Sequence, residues 1–275
     1  MVWADDHPDP LYFPCAVRVL ICGELRVEGE QRALSGPDLP GRLGRRLWAY
    51  LVLNRRRPAG HGELASALWG DDIPDAWEAS LHALVSRVRR ALAVVADDTA
   101  LRAIGGGYAL TLPAGTFVDR ERAWEAIHHV RARQLTGDVR GAWAEAVIAA
   151  EIAARGFLHG ESGEWIEAER RLLHGIEVQA LEAVADADLA GSKIEEAERV
   201  ARSLVGLDPL RESGYRLLMR SLAAAGNGAA AAAVMEECRR ALAAVGANPS
   251  AETEAAFRSA LGNSSRGDRS GEAAR

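Results

Sequence analysis

Near its start the chain alternates apolar and polar residues with a period of two. Val17, Val19 and Ile21 are separated by single residues, and Gly23 interrupts the run. Such alternation is typical of strands that bury only one of their two faces. Residues 15–34 are therefore predicted to form a small antiparallel sheet.

Apolar residues spaced three or four apart predict three helices after this sheet. The helices are expected at about residues 43–54, 61–69 and 75–95. Asp75 followed three residues later by Glu78 has the pattern of a capping box, which places the start of the third helix at that point.

A glycine triplet at 105–107 separates two short runs with strand character, 101–104 and 108–112. Glycine is the residue that tight hairpin turns favour, so the segment predicts a hairpin. A phosphate-binding loop is excluded, because no helical pattern follows and no Gly-Lys-Ser/Thr sequence is present. A sheet, three helices and a terminal hairpin are typical of a winged helix-turn-helix, here over residues 15–113.

The remainder, 119–262, has only helical patterns. The small and large residues of one unit recur 34 positions later, with Ala197, Ala201 and Leu204 matched by Ala231, Met235 and Cys238. This period resembles that of tetratricopeptide repeats, whose stacked helices expose a groove for proteins or peptides. We therefore predict an α+β winged helix-turn-helix domain followed by an all-α, tetratricopeptide-like helical-repeat domain, with residues 1–14 and 263–275 disordered.

The predicted third helix has one apolar face and one polar face. Its apolar side chains, which should dock on the core, are Leu81, Leu84, Val85, Val88 and Leu92. The polar face holds small residues and hydrogen-bond donors and has no acidic residue after Glu78. Arginine can bind guanine or phosphate, and serine and histidine can do either, so this face suits the major groove of DNA. The candidate DNA-contacting side chains on it are His82, Ser86, Arg87, Arg89 and Arg90, and Arg102 or the glycine amides of the hairpin could contact phosphate across the minor groove.

Composition limits the class of protein. A chain of 275 residues suggests two domains, and a hydrophobic content of 48% excludes global disorder. No apolar run reaches the roughly 18 residues that a membrane span needs, and residues 1–14 lack the features of a secretory signal. Cys15, Cys22 and Cys238 have no metal-like spacing, so we expect a cytoplasmic protein with reduced thiols, no metal or cofactor and no membrane partner.

Charge is distributed unevenly along the chain. The net charge is −6, which argues against a nonspecific coat on nucleic acid. Between Gly41 and Leu92, however, nine arginines stand against five acidic residues, a local net charge of +4. The basic segment coincides with the predicted helices of the winged domain, and this asymmetry indicates a local nucleic-acid-binding face.

Several runs in the chain resemble the Streptomyces antibiotic regulatory protein family, in which an OmpR-type winged helix is joined to a bacterial transcriptional activation domain. The runs that carry the resemblance lie at 67–74 (ALWGDDIP), 81–92 (LHALVSRVRRAL), 107–110 (GYAL), 156–170 (GFLHGESGEWIEAER), 208–212 (DPLRE) and 246–253 (GANPSAET). Because these motifs occur in the same order as in the family, the resemblance extends over about residues 15–262.

The resemblance implies binding to direct repeats of double-stranded DNA by a side-by-side homodimer near a promoter. It also implies activation through recruitment of RNA polymerase by contacts with the sigma factor and the alpha subunit. The positions that match the family's DNA contacts are His82, Ser86, Arg87, Arg89 and Arg90, and further candidates are Arg45 and Arg46 at the start of the first helix.

The alternative function is a protein-binding scaffold, in which the winged helix contacts protein instead of DNA. The acidic total charge and Glu78 favour it, whereas the arginine-rich face argues against it. Binding to DNA through several arginines predicts a steep loss of affinity with salt, which distinguishes the two functions.

An enzyme is not expected from the residue patterns. Ser80 and His82 lie two positions apart on a helix and therefore do not face each other. The adjacent His128 and His129 and the single His159 have no carboxylate or cysteine partners at the spacing of metal ligands.

Overall fold

The computed structural model describes residues 17–29, 32–93, 95 and 100–272, with side chains described as far as residue 262. The segment 1–14, expected to be disordered, lies outside the described residues. The chain divides into two compact units. The first contains the residues up to Ala123 together with Ile152–His174, and the second contains Trp124–Glu151 and the residues from Gly175 onward.

The first unit contains the strands, all of which are short. They are β1 (Arg18–Leu20), β2 (Arg26–Glu28), β3 (Ala33–Ser35), β4 (Ala59–Gly60), β5 (Ala100–Ile104), β6 (Gly107–Thr111) and β7 (Phe117–Val118). Four of them form a sheet in the order β3-β2-β1-β7, in which β1 and β7 are parallel and the other neighbours are antiparallel. Val17, Val19 and Ile21 are at most 2% exposed, so the alternation predicted for this segment is confirmed.

Three helices follow the order that the apolar spacing predicts. They are α1 (Gly41–Leu53), α2 (His61–Trp69) and α3 (Trp77–Leu92). The predicted capping box at the start of α3 is wrong, because the residue before the helix is Ala76 and no side chain caps it. The backbone forms the turn there, since the Trp77 amide donates to the Pro74 carbonyl at 3.0 Å.

A second sheet has the strand order β4-β6-β5. The β5–β6 hairpin, which we call the wing, pairs Ala103 with Tyr108 and Ile104 with Gly107, leaving a two-residue turn. The hairpin predicted from the glycine triplet is confirmed. Because β4 lies directly before α2, its pairing with β6 fixes the wing next to the helices.

Residues 152–174 come from the second half of the sequence but belong to the first unit. The Gly23 amide donates to the Gly156 carbonyl at 2.9 Å, and Phe157, which forms a bridge with Cys22, is 0% exposed. Trp165 donates through its ring nitrogen to the Ala67 carbonyl at 2.9 Å. This segment therefore completes the packing around both the first sheet and α2.

The compact units do not follow the predicted division between residues 113 and 119. Asp119 accepts hydrogen bonds from the backbone of β1's end, and the next residue, Arg120, forms an ion pair with Glu169 at 3.0 Å. Arg55 pairs with Glu121 in the same way. These long-range polar contacts hold the segment after residue 113 in the first unit.

Helices alone make up the described part of the second unit, as predicted. The remaining helices of the chain are α4 (Asp119–Leu135), α5 (Val139–Ala153), α6 (Glu164–Ala190), α7 (Ile194–Leu207), α8 (Glu212–Ala224), α9 (Gly228–Ala243) and α10 (Ala251–Glu272). The first three contribute residues to both units.

The 34-residue period has a structural counterpart in α7 and α9. The six residues that define the period are all 0% exposed: Ala197, Ala201, Leu204, Ala231, Met235 and Cys238. All of them except Ala197 belong to one core cluster with residues of α8, including Tyr215 and Leu218. The repeated small and large side chains are therefore core positions.

The final helix runs to Glu272, ten residues past its predicted end at Gly262, so the expectation of a disordered tail does not hold for the backbone of 263–272. Residues 273–275 lie outside the described part. Within the described part, none of the helices combines the length and the hydrophobicity that a membrane crossing demands.

Candidate nucleic-acid interface

Helix α3 separates its two faces as its sequence predicts. Its five apolar residues, Leu81, Leu84, Val85, Val88 and Leu92, are at most 2% exposed. His82, Ser86, Arg87, Arg89 and Arg90 are all exposed. Burial of the apolar face anchors the helix, and the opposite face remains accessible along its length.

The side chains of Ser86, Arg87 and Arg90 make no hydrogen bond or ion pair with any described residue. Since nothing among the described residues neutralises the two guanidinium groups, their donors are available to an external acceptor. Glu78, in the first turn, is the acidic residue of this helix.

Arg89 differs from its neighbours because it contacts the wing. Its Nε donates to the carbonyl of Leu101 in β5 at 2.8 Å. This bond ties α3 to the wing, so the side chain positions the wing and has only part of its guanidinium left for an external acceptor.

The turn of the wing depends on glycine. Gly105 and Gly106 have φ values of +56° and +79°, the conformation that a two-residue hairpin turn of type I′ requires. A side chain on Gly107 would lie 2.3 Å from the Ala59 carbonyl oxygen of β4. Arg102 is exposed on β5 beside this turn, and Ile104 is 48% exposed at its edge.

Three rings meet where α2, α3 and β6 come together. The ring of His61 lies 5.5 Å from that of His82 and 5.2 Å from that of Tyr108, measured between centroids. His82 was predicted from the sequence as a candidate contact, whereas His61 and Tyr108 were not. No sequence signal identifies the cluster, because its members are 21 and 26 residues apart.

Arg46 was predicted to contact DNA, and its position in the structure corrects this. It is 6% exposed, and its Nη2 donates to the Ala67 carbonyl at 2.9 Å, so it is a buried structural residue. Arg45 is partly exposed and lies 3.9 Å from the buried carboxylate of Glu161, which also pairs with Arg42 at 2.6 Å. The start of α1 therefore faces residues 152–174, and Arg45 is directed to Glu161.

In the described ranges, the His, Cys, Asp and Glu side chains form no group of three or more that could hold a metal ion. The α3 face and the wing offer hydrogen-bond donors. These are guanidinium, imidazole and hydroxyl groups, and the backbone amides of a glycine turn. These groups match phosphate oxygens and the acceptor edges of bases.

The sequence model of the family described as "Bacterial transcriptional activator domain" matches residues 118–261, which is more than half of the chain. The chain belongs to this family. The resemblance to the Streptomyces antibiotic regulatory proteins is confirmed, and membership places the chain among bacterial regulators of transcription.

Three curated relatives are regulators in their own descriptions. Regulatory protein AfsR of Streptomyces coelicolor is 32% identical over 230 residues, 83% of this chain and 22% of AfsR. AfsR of Streptomyces griseus is 31% identical over 238 residues, 83% of this chain and 23% of that protein. Transcriptional regulatory protein EmbR of Mycobacterium tuberculosis is 39% identical over 90 residues, 31% of this chain and 23% of EmbR. The chain spans less than a quarter of the length of each of these relatives.

A solved structure, Mycobacterium tuberculosis EmbR in complex with a low-affinity phosphopeptide, has the same fold. The TM-score is 0.75 at 23% identity, and the match covers 90% of this chain and 65% of the EmbR chain. At this identity the likeness concerns the fold alone.

Proposed function

We propose that the chain is a sequence-specific DNA-binding regulator of transcription whose first unit acts as an OmpR-type winged helix-turn-helix. The observation that carries the proposal is the division of α3 into a fully buried apolar face and an exposed face with two unpartnered arginines. In this arrangement α3 enters the major groove and the wing lies along the adjacent minor groove.

The exposed residues would act in different ways. Arg87 and Arg90 can reach guanine edges or phosphates, and His82 and Ser86 can contact either. Arg102 and the amides of the Gly105–Gly106 turn would contact the backbone. The local positive charge would steer the chain to DNA despite its net charge of −6.

The proposal extends to activation, because the family is named for its activator domain. Two copies would bind direct repeats side by side near a promoter, in the cytoplasm at the nucleoid. The helical residues that follow the wing would recruit RNA polymerase through its sigma factor and alpha subunit.

Selection of genomic fragments by the purified chain, followed by footprinting, tests DNA binding and its geometry together. The expected result is protection of two half-sites in the same orientation, spaced by about one helical turn. Fragments recovered without sequence preference, or no retained DNA at low salt, would contradict the proposal and favour the protein-binding scaffold.

Activation has its own test. Adding purified RNA polymerase to the footprinted promoter should extend the protected region and increase transcript yield when the chain is present. Protection that displaces the polymerase instead would make the chain a repressor and contradict the activation part alone.

A further inference from the structure

The first unit contains a cleft of about 910 Å³ away from α3 and the wing. It lies between the turn that joins β1 to β2, the start of α1 and the segment 155–161. Its volume falls in the range of about 300–1,000 Å³ that small-molecule sites occupy. Nothing in the DNA-binding proposal uses it.

One wall of this cleft is apolar and is held in a strained conformation. Leu20, Leu25 and Leu158 contribute apolar side chains. Leu158 has φ of +43°, in the region that residues other than glycine rarely adopt. The backbone is fixed there by Arg170, which donates to the carbonyls of Phe157 at 3.0 Å and Leu158 at 2.6 Å. Strain that surrounding bonds maintain in this way is typical of ligand sites.

The charged residues around the cleft differ in whether they form ion pairs. Arg26 forms an ion pair with Glu28 at 2.8 Å, and Glu161 is paired with Arg42 and approached by Arg45. Arg155, which lines the cleft and is partly buried, makes no side-chain hydrogen bond or ion pair with any described residue, and its charge lowers the pKa of the buried Asp119 from a longer range. A partly desolvated guanidinium beside apolar side chains favours a carboxylate, which it can bind through two parallel hydrogen bonds.

We propose that this cleft is a binding site for a small amphipathic carboxylate, whose apolar body lies against Leu20, Leu25 and Leu158 and whose carboxylate pairs with Arg155. A ligand bound there contacts both the β1–β2 turn and the segment from Arg155 to Glu161, so it is an effector of the first unit.

Ligand-observed NMR titration of the full chain with octanoate and phenylbutanoate, each beside its neutral amide, tests the site. We expect at least one acid to bind about tenfold more tightly than its amide, because the charged hydrogen bonds to Arg155 are lost in the amide. Arg155→Gln should abolish this preference, whereas Arg56→Gln, which removes an exposed arginine of the same unit outside the cleft, should leave it unchanged. Leu20→Trp, which fills the cleft, should weaken binding of acid and amide alike.

Three results would overturn the proposal: no binding of either acid to the folded chain, equal affinities for acid and amide, or an unchanged preference in Arg155→Gln. Because the readout is direct binding in the absence of DNA, it is independent of the outcome for the DNA-binding face.

Discussion

Asp119 holds the end of β1 against the start of α4. Its carboxylate accepts hydrogen bonds from the backbone amides of Ile21 at 2.9 Å, Cys22 at 3.0 Å and Arg120 at 2.7 Å. It is 0% exposed, and burial raises its pKa to about 6 although these amides and the charge of Arg155 oppose the shift. The folded state therefore binds a proton at this group more tightly than the unfolded state does.

The pH dependence of stability follows from this shift. Because the folded pKa is raised from 3.8 to about 6, the contribution of Asp119 is greatest below pH 3.8 and is lost as the pH rises to about 6. The difference between the two ends of this window is about 3 kcal/mol. In Asp119→Asn, which cannot ionise, this contribution should be absent. Urea unfolding of both proteins at several pH values should show the stability of the wild type rising relative to the variant as the pH falls from about 6 to 4.

The opposite trend, with the wild type losing stability relative to Asp119→Asn on acidification, would mean that the three amides outweigh burial and lower the pKa of Asp119. Arg131→Gln, which removes an exposed arginine twelve residues further along α4, provides a control in which the pH profile should keep its wild-type form.

The arginines show what sequence can and cannot predict at this scale. Arg87 and Arg90 were predicted to be exposed because the apolar period of α3 assigns their face without ambiguity. Arg46 was predicted wrongly because its environment depends on the Ala67 carbonyl, 21 residues away, which accepts its hydrogen bond. Whether a guanidinium is buried depends on such distant acceptors. The spacing of apolar residues in α1 does not reveal them.

At the scale of elements, α3 and the wing are held together by the hydrogen bond of Arg89. In Arg89→Met the hydrogen bond from Nε to the Leu101 carbonyl is lost, while an unbranched stem that reaches as far as the Nε position is retained. Loss of about 1 kcal/mol at this contact should speed hydrogen exchange of the β5 amides about fivefold. Exchange measured by mass spectrometry on peptides covering 100–104 reports it directly.

A matched variant distinguishes the positioning of the wing by Arg89 from the effect of losing its positive charge. Arg90→Met removes the same charge but no contact with the wing, so it should weaken DNA binding and leave exchange in β5 at the wild-type rate. Equal exchange in wild type and Arg89→Met would contradict the positioning role of Arg89.

The elements themselves were largely predictable, while their ends were not. The five buried positions of α3 and the glycine pair of the wing are local signals, because a helical period and a positive φ depend on neighbouring residues. The start of α3 was misplaced because a backbone turn at Pro74 formed instead of the capping box expected at Asp75. The last helix passes Gly262, where the sequence suggested an end.

At the scale of the whole molecule, residues 152–174 are part of the unit that carries α3. Phe157 and Ile166 are 0% exposed in it, and burial of each such side chain contributes about 1.5–3 kcal/mol. A chain truncated after residue 118 loses these side chains and Asp119. We expect it to unfold at a lower temperature than the full chain or to fail to fold, as circular dichroism melting would show.

The control for this truncation is the full chain with Phe157→Leu, which keeps the segment and reduces only one side chain. The melting temperature of this variant should lie between those of the truncated chain and the full wild-type chain. A chain ending at residue 118 that unfolds cooperatively at the temperature of the full chain would mean that 152–174 adds nothing to the first unit.

This arrangement could not be predicted from the sequence. The patterns predicted the order of the elements, and the change to purely helical patterns after the wing suggested a boundary there. The contacts that override this boundary, such as Arg120 with Glu169 and Trp165 with Ala67, join residues 49 and 98 positions apart. Only the folded chain brings such partners together.

The salt dependence of DNA binding tests the role of the α3 face most directly. Fluorescence anisotropy titrations on a duplex carrying the footprinted site, over a series of salt concentrations, would compare the wild type with the Arg87→Gln, Arg90→Gln double variant. Because each phosphate contact contributes about 0.9 to the slope of log affinity against log salt, the slope should decrease by about one to two and the affinity by at least about tenfold. A control double variant, Arg140→Gln with Arg171→Gln, removes the same charge from exposed positions elsewhere and should match the wild type. A folded Arg87→Gln, Arg90→Gln variant with the affinity and salt slope of the wild type would contradict the assignment of this face to DNA.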